Sequence, residues 1–224
     1  MSRVSKIAVI FDMDGVLVEN SSVHEKAWRM IIEKYGKKAS GEEVKNIFGG
    51  TNKMFVERFL GITDDKKINE IAVEKEALYR EIFSNDIKAP DGLLNLLFEL
   101  KKNNVRLAVA TSAPTINLDF VLDKLEIRGF FDVLVDETYV KNAKPDPEIY
   151  LVASKKLGVD PENCVVIEDS IFGIQSALAA GMKVIGITTT FPFERINFSD
   201  KVINRFDEIG ISDIELLLET VSNE

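Results

Sequence analysis

The stretch AVIFDMDGVLVEN, Ala8 to Asn20, sets an apolar run before two carboxylates spaced one residue apart, followed by a glycine. Side chains in an extended strand repeat every two residues, so Asp12 and Asp14 share a face if the backbone stays extended. Like charges brought together must share a proton, a cation or both. An Asp-Gly pair between apolar runs is also ordinary turn chemistry. A calcium-binding loop is set aside, because its ligand pattern would need an oxygen donor where Ile10 stands.

Working outward, short apolar and β-branched runs recur with turn signals after them: KIAVIF (6–11), RLAVAT (106–111), DVLVDE (132–137), CVVIED (164–169) and KVIGIT (183–188). Helical patterns such as GLLNLLFELKKN from Gly92 and PEIYLVASKKLG from Pro147 lie between the later ones, each closed by Lys, Asn or Gly. This alternation predicts an α/β fold, a Rossmann-like parallel sheet with helices on both faces. From Ser21 to Ile87 the alternation stops. VHEKAWRMIIEKYG, NKMFVERFLG and DDKKINEIAVEKEALYREIFS follow one another with no strand-like run among them. The expected organisation is a core of residues 1–18 and 89–224, with a small all-helical cap, residues 19–88, inserted after the first strand. The C-terminal DIELLLETVSNE reads as an amphipathic helix covering the sheet.

The chain of 224 residues carries 28 Lys plus Arg against 37 Asp plus Glu, a net charge of -9, which disfavours nucleic acid or anionic membrane as the main partner. Cys164 is the sole cysteine, so no internal disulfide forms and a reducing compartment is the simpler expectation. MSRVSK before the first apolar run has no signal-peptide pattern, and no run approaches the roughly 20 apolar residues that span a bilayer. A cytoplasmic monomer is expected, with neither membrane nor nucleic acid as partner.

In an open parallel sheet, ligands sit beyond the carboxyl ends of the strands. Those ends carry Asp12 and Asp14, Thr111 and Ser112, and Glu168 and Asp169, with Lys144 in the loop KNAKPDP joining them. The turn reading of DMDG leaves the second acidic pair, in VVIEDS, unexplained. Two acidic pairs at neighbouring strand ends make a site for a hard divalent cation, and Mg²⁺ prefers few carboxylates together with waters and phosphate oxygens. Thr111 and Ser112 could cap a helix, and a helix N-terminus with free N–H groups also binds phosphate.

DMDGVL, ATS, AKPDPEIY and VIEDSIFGIQSALAAGM resemble the four ordered motifs of the haloacid dehalogenase superfamily, and the helical insert is similar to the cap of its β-phosphoglucomutase and phosphoglycolate phosphatase branch. The resemblance implies that Asp12 is the nucleophile accepting the phosphoryl group and that Asp14 is the general acid/base. Thr111 would bind phosphate with the Ser112 backbone beside it, and Lys144 would balance charge around the nucleophile. Mg²⁺ would be held by Asp12, the Asp14 carbonyl, Asp169 and, directly or through water, Glu168. His24 and Lys75 resemble cap residues of the mutase-like members, while a first-turn helical position and a solvated helix face are their plain alternatives.

One departure bears on substrate. Where the mutases carry an arginine holding a second phosphate, this chain reads FGGTNK, with Asn52 at the matching place and Lys53 next to it. Asn lacks the charged, bidentate grip of Arg. The expected activity is therefore a Mg²⁺-dependent phosphatase of small phosphorylated metabolites, of sugar phosphate or phosphoglycolate type. A phosphosugar mutase, with Lys53 compensating, and an inorganic pyrophosphatase are the alternatives. Lid hinges are expected near Val18–Ser21 and Ser84–Pro90, with closure excluding water.

Overall fold

The computed structural model describes residues 7–219; Lys6 of the first apolar run and residues 220–224 of the C-terminal run lie outside them. The described residues divide into two compact units, one of residues 7–19 and 88–219 and the other Asn20–Ile87.

The first unit is a six-stranded sheet of β1 (Ala8–Phe11), β2 (Arg106–Ala110), β3 (Val133–Val135), β4 (Cys164–Glu168), β5 (Lys183–Ile187) and β6 (Lys201–Ile203), in the order β3-β2-β1-β4-β5-β6. Every pair is parallel, with Val9 opposite both Leu107 and Val165. All four residues of β1 are fully buried, because a parallel strand in the middle of such a sheet is covered on both faces. The expected α/β fold is present, extended by one strand. β6 spans three residues at the edge, of which only Val202 and Ile203 are apolar, and is not among the runs singled out from the sequence. Chain order reverses on either side of β1, so the crevice beyond its carboxyl end is the place where such sheets open to ligands.

The second unit is helical: α1 (Ser21–Lys34), α2 (Gly41–Lys45), α3 (Asn52–Leu60) and α4 (Asp65–Phe83). Its core gathers Trp28, Ile31, Ile32, Val44, Phe55, Val56, Leu60, Ile68 and Ile71, with the Trp28 and Phe55 rings stacked at 4.6 Å. The short α2 is fixed by a capping box, in which Ser40 accepts from the Glu43 backbone and Glu43 reaches back to the Ser40 N–H. The remaining helices belong to the first unit: α5 (Leu93–Lys102), α6 (Thr115–Lys124), α7 (Glu148–Leu157), α8 (Ile171–Ala179), α9 (Phe193–Ile196) and α10 (Ile211–Glu219). Among the described residues no helix is long and apolar enough to cross a membrane.

Candidate active site

β1 delivers Asp12 to the crevice with its N–H donating to the Ile167 carbonyl of β4, 3.0 Å away. The chain then turns sharply: the Leu17 N–H donates to the Met13 carbonyl, and the Gly15 N–H to that of Val18. Gly15 adopts φ +79, and a Cβ there would lie 1.9 Å from Asp169 Oδ2. Only glycine lets the turn approach the second acidic pair so closely.

Lys144 is 4% exposed, and its ammonium donates to Asp12 Oδ1 at 2.7 Å and to Glu168 Oε1 at 2.8 Å. Glu168 is fully buried and accepts from more groups: Tyr150 Oη at 3.0 Å on Oε1, and the Ser170 N–H and Oγ at 2.7 and 3.0 Å on Oε2. A buried charge persists when it is paired and hydrogen-bonded, and this carboxylate is both. Burial favours its neutral form, but Lys144 and Ser170 outweigh that and hold Glu168 below the ordinary glutamate range. Burial likewise opposes the charged Lys144, yet Asp12 and Glu168 hold it well above the ordinary lysine range.

The other acids respond differently. Burial pushes Asp12 up to about 7, against the pull of Lys144 and reinforced by Glu168 and Asp14. Burial, then Glu168 and Asp12, raise Asp169 well above the ordinary aspartate range despite the Thr190 hydroxyl. One ammonium is too little to favour the charged forms of Asp12 and Asp169, which further positive charge would stabilise. Asp12, Glu168 and Asp169 each offer an oxygen within 4.8 Å of the others. Such an all-oxygen, anionic donor set fits a hard divalent cation.

Thr111 is buried at the end of β2, where its Oγ accepts the Ala113 N–H at 3.1 Å, leaving the hydroxyl proton to donate elsewhere. Ser112 beside it and Asp14 after β1 are half-buried.

The second unit groups the remaining sequence candidates, apart from Lys53. Lys75 is 2% exposed, so the solvated-face alternative is wrong for it. Its ammonium donates to His24 Nδ1 at 2.8 Å and to Glu76 Oε1 at 2.9 Å, and Asn52 Nδ2 donates to the same oxygen at 3.0 Å. The His24 ring stacks on Tyr79 with centroids 4.1 Å apart. Burial pulls Glu76 up, but Lys75, His24 and the hydrogen bonds from Lys75 and Asn52 outweigh it and leave the carboxyl below the ordinary range. Lys53 instead faces Asp65 at 2.8 Å, half exposed, and the structure does not bring it to the Asn52–Glu76 pair. Sequence reasoning missed Glu76, Tyr150 and Ser170, although the last two stand inside the motifs AKPDPEIY and VIEDS.

The chain matches the model of the haloacid dehalogenase-like hydrolases over residues 9–187. It is 36% identical to a phosphorylated carbohydrates phosphatase of Thermotoga maritima, over 80% of this chain and 83% of the relative. It is 30% identical to a fructose-1-phosphate phosphatase of Escherichia coli, over 80% and 95%. Among solved structures, a β-phosphoglucomutase from Clostridium difficile superimposes with a TM-score of 0.86 at 28% identity, covering 97% of this chain and 99% of that one.

Proposed function

This chain belongs to the haloacid dehalogenase-like hydrolases and is a phosphoric monoester hydrolase, and we propose that it removes phosphate from small hydroxylated metabolites of the sugar phosphate or phosphoglycolate type, through a phosphoenzyme on Asp12. The observation that carries the reading is the buried Lys144 ammonium shared by Asp12 and Glu168 at the ends of β1 and β4. A carboxylate attacks a phosphate dianion only where fixed positive charge offsets the repulsion.

With Lys144 on Oδ1, the other Asp12 oxygen attacks phosphorus. The bond to the leaving oxygen breaks, and Asp14 supplies its proton. Asp14 then takes a proton from the water that attacks the aspartyl phosphate, which releases inorganic phosphate and restores Asp12. The Thr111 hydroxyl and the Ser112 N–H hold the phosphoryl oxygens meanwhile. Mg²⁺, held by Asp12, Asp169, the Asp14 carbonyl and, directly or through water, Glu168, would neutralise charge on the transferring group.

The likeness to a β-phosphoglucomutase keeps a mutase as the second reading, since both chemistries use the same core. Asn52 argues against it, because it spends its amide on Glu76 and carries no charge for a second phosphate. The test is phosphate release with Mg²⁺ across sugar phosphates, phosphoglycolate, nucleotides and pyrophosphate, with β-glucose 1-phosphate plus its bisphosphate followed for isomerisation. Release from a sugar phosphate or phosphoglycolate supports the hydrolase. Isomerisation without release supports the mutase, and release confined to pyrophosphate overturns the monoester reading.

A further inference from the structure

The Lys144 ammonium has three protons to place, and two carboxylates take two of them. Its third side meets Tyr150, with Nζ 4.8 Å from the ring centroid and within hydrogen-bonding reach of the hydroxyl. A cation over the face of a buried aromatic ring is attracted by the ring quadrupole. Tyr150 itself is fully buried in the first turn of α7, and its hydroxyl donates to Glu168 Oε1, the same oxygen that accepts from Lys144. One side chain therefore touches both partners of a charge pair, its hydroxyl reaching Glu168 and Lys144 and its ring face lying against Lys144.

The two contacts act in one direction. Glu168 competes with Asp12 for Lys144, and a carboxylate with fewer donors pulls harder on the donors it keeps. The Tyr150 hydroxyl satisfies part of that demand, as Ser170 does on the opposite oxygen. The ring face meanwhile gives the ammonium a further attractive contact. Removing the hydroxyl alone shifts Lys144 towards Glu168, and removing the ring as well leaves it without a third partner.

We propose that Tyr150 is a positioning residue for the phosphoryl transfer, acting through Lys144 and Glu168 to keep the ammonium on Asp12. The proposal rests on the functional reading above for its effect on turnover, and stands on the geometry alone for its effect on Lys144.

The experiment compares wild type, Tyr150→Phe and Tyr150→Leu as full chains with Mg²⁺, in the phosphate-release assay and by NMR of ¹⁵N-lysine ammonium groups. The Lys144 resonance is assigned by its loss in Lys144→Gln. An ammonium held by three partners exchanges slowly and is visible, and the Phe variant should weaken or broaden it. The Phe variant should also lose kcat by about tenfold at unchanged KM, one hydrogen bond to a charged group. The Leu variant, which loses the ring face too, should lose more, about a hundredfold. Phe preserves the packing, so a purely structural role predicts wild-type kcat and an unchanged resonance for it, and either result in the Phe variant overturns the proposal. Should wild type hydrolyse no phosphomonoester, the functional reading fails separately, and the Lys144 resonance of the Phe variant still decides the positioning role.

Discussion

Lys144 hydrogen-bonds Asp12 at 2.7 Å across a separation of 132 residues, joining the loop before α7 to the end of β1. Neither group is stable alone at that depth. The side chains are 2% and 10% exposed, and Asp12 together with Glu168 keeps the ammonium protonated against burial.

Replacing Lys144 should therefore cost stability as well as turnover. Lys144→Met leaves Asp12 and Glu168 without their cation, and losing one partner of a buried pair costs about 3–5 kcal/mol. Denaturant titration should show that loss, and addition of Mg²⁺ should restore part of it. A variant as stable as wild type contradicts the geometry drawn for the pair.

Gly15 offers a sharper probe of the second acidic pair. Gly15→Ala carries the backbone cost of a positive φ, about 1–2 kcal/mol, and also drives a methyl into Asp169. Gly61→Ala is the control, since Gly61 has φ +70 and nothing within 4 Å of its Cβ position. Gly61→Ala should lose only the backbone cost and Gly15→Ala more, and only Gly15→Ala should lose phosphate release, by more than about tenfold if Asp169 is displaced from its cluster. Equal activity in the two would remove Asp169 from the site.

Binding of Mg²⁺ to the native state alone raises the melting midpoint, by about 2.7 kcal/mol in stability at a hundredfold excess over Kd. Differential scanning fluorimetry should show the rise in wild type and its loss in Asp169→Asn. A rise that survives in Asp169→Asn would put the cation elsewhere.

Glu76 should make the helical unit acid-sensitive. Its folded pKa lies below the ordinary 4.5. A lowered carboxylate pKa gives stability that is complete above the unfolded value and is lost as pH falls through the folded one. Wild type should thus exceed Glu76→Gln by about 3 kcal/mol at neutral pH, with the gap closing only below the ordinary glutamate range. Urea titrations at a series of pH values check this, and a gap independent of pH would mean that folding does not lower the Glu76 pKa.

Much of this was legible in the sequence because strand ends and chemistry coincide. The apolar run before Asp12 and the run before Glu168 announced both the strands and the acids they carry. β6 and α2 were not read from periodicity, although the Ser40 and Glu43 spacing of α2 was a readable cap signal. Lys75 looked like helix surface because its neighbours are polar. Its hydrogen-bond partners are Glu76 beside it and His24 from another helix, with Asn52 donating to the same Glu76 oxygen. Tyr150 carried a signal too, six residues after Lys144 in a motif already singled out. Its dual contact depends on how α7 packs, which no spacing reveals.

The most direct test of the account is chemical trapping of the phosphoenzyme. Wild type turning over its best substrate with Mg²⁺ is quenched, reduced with borohydride, which converts an acyl phosphate to an alcohol, and mapped by peptide mass spectrometry. The account predicts homoserine at position 12, absent without substrate, with Asp12→Asn folded yet inactive. Homoserine at another position, or full activity in Asp12→Asn, would contradict it.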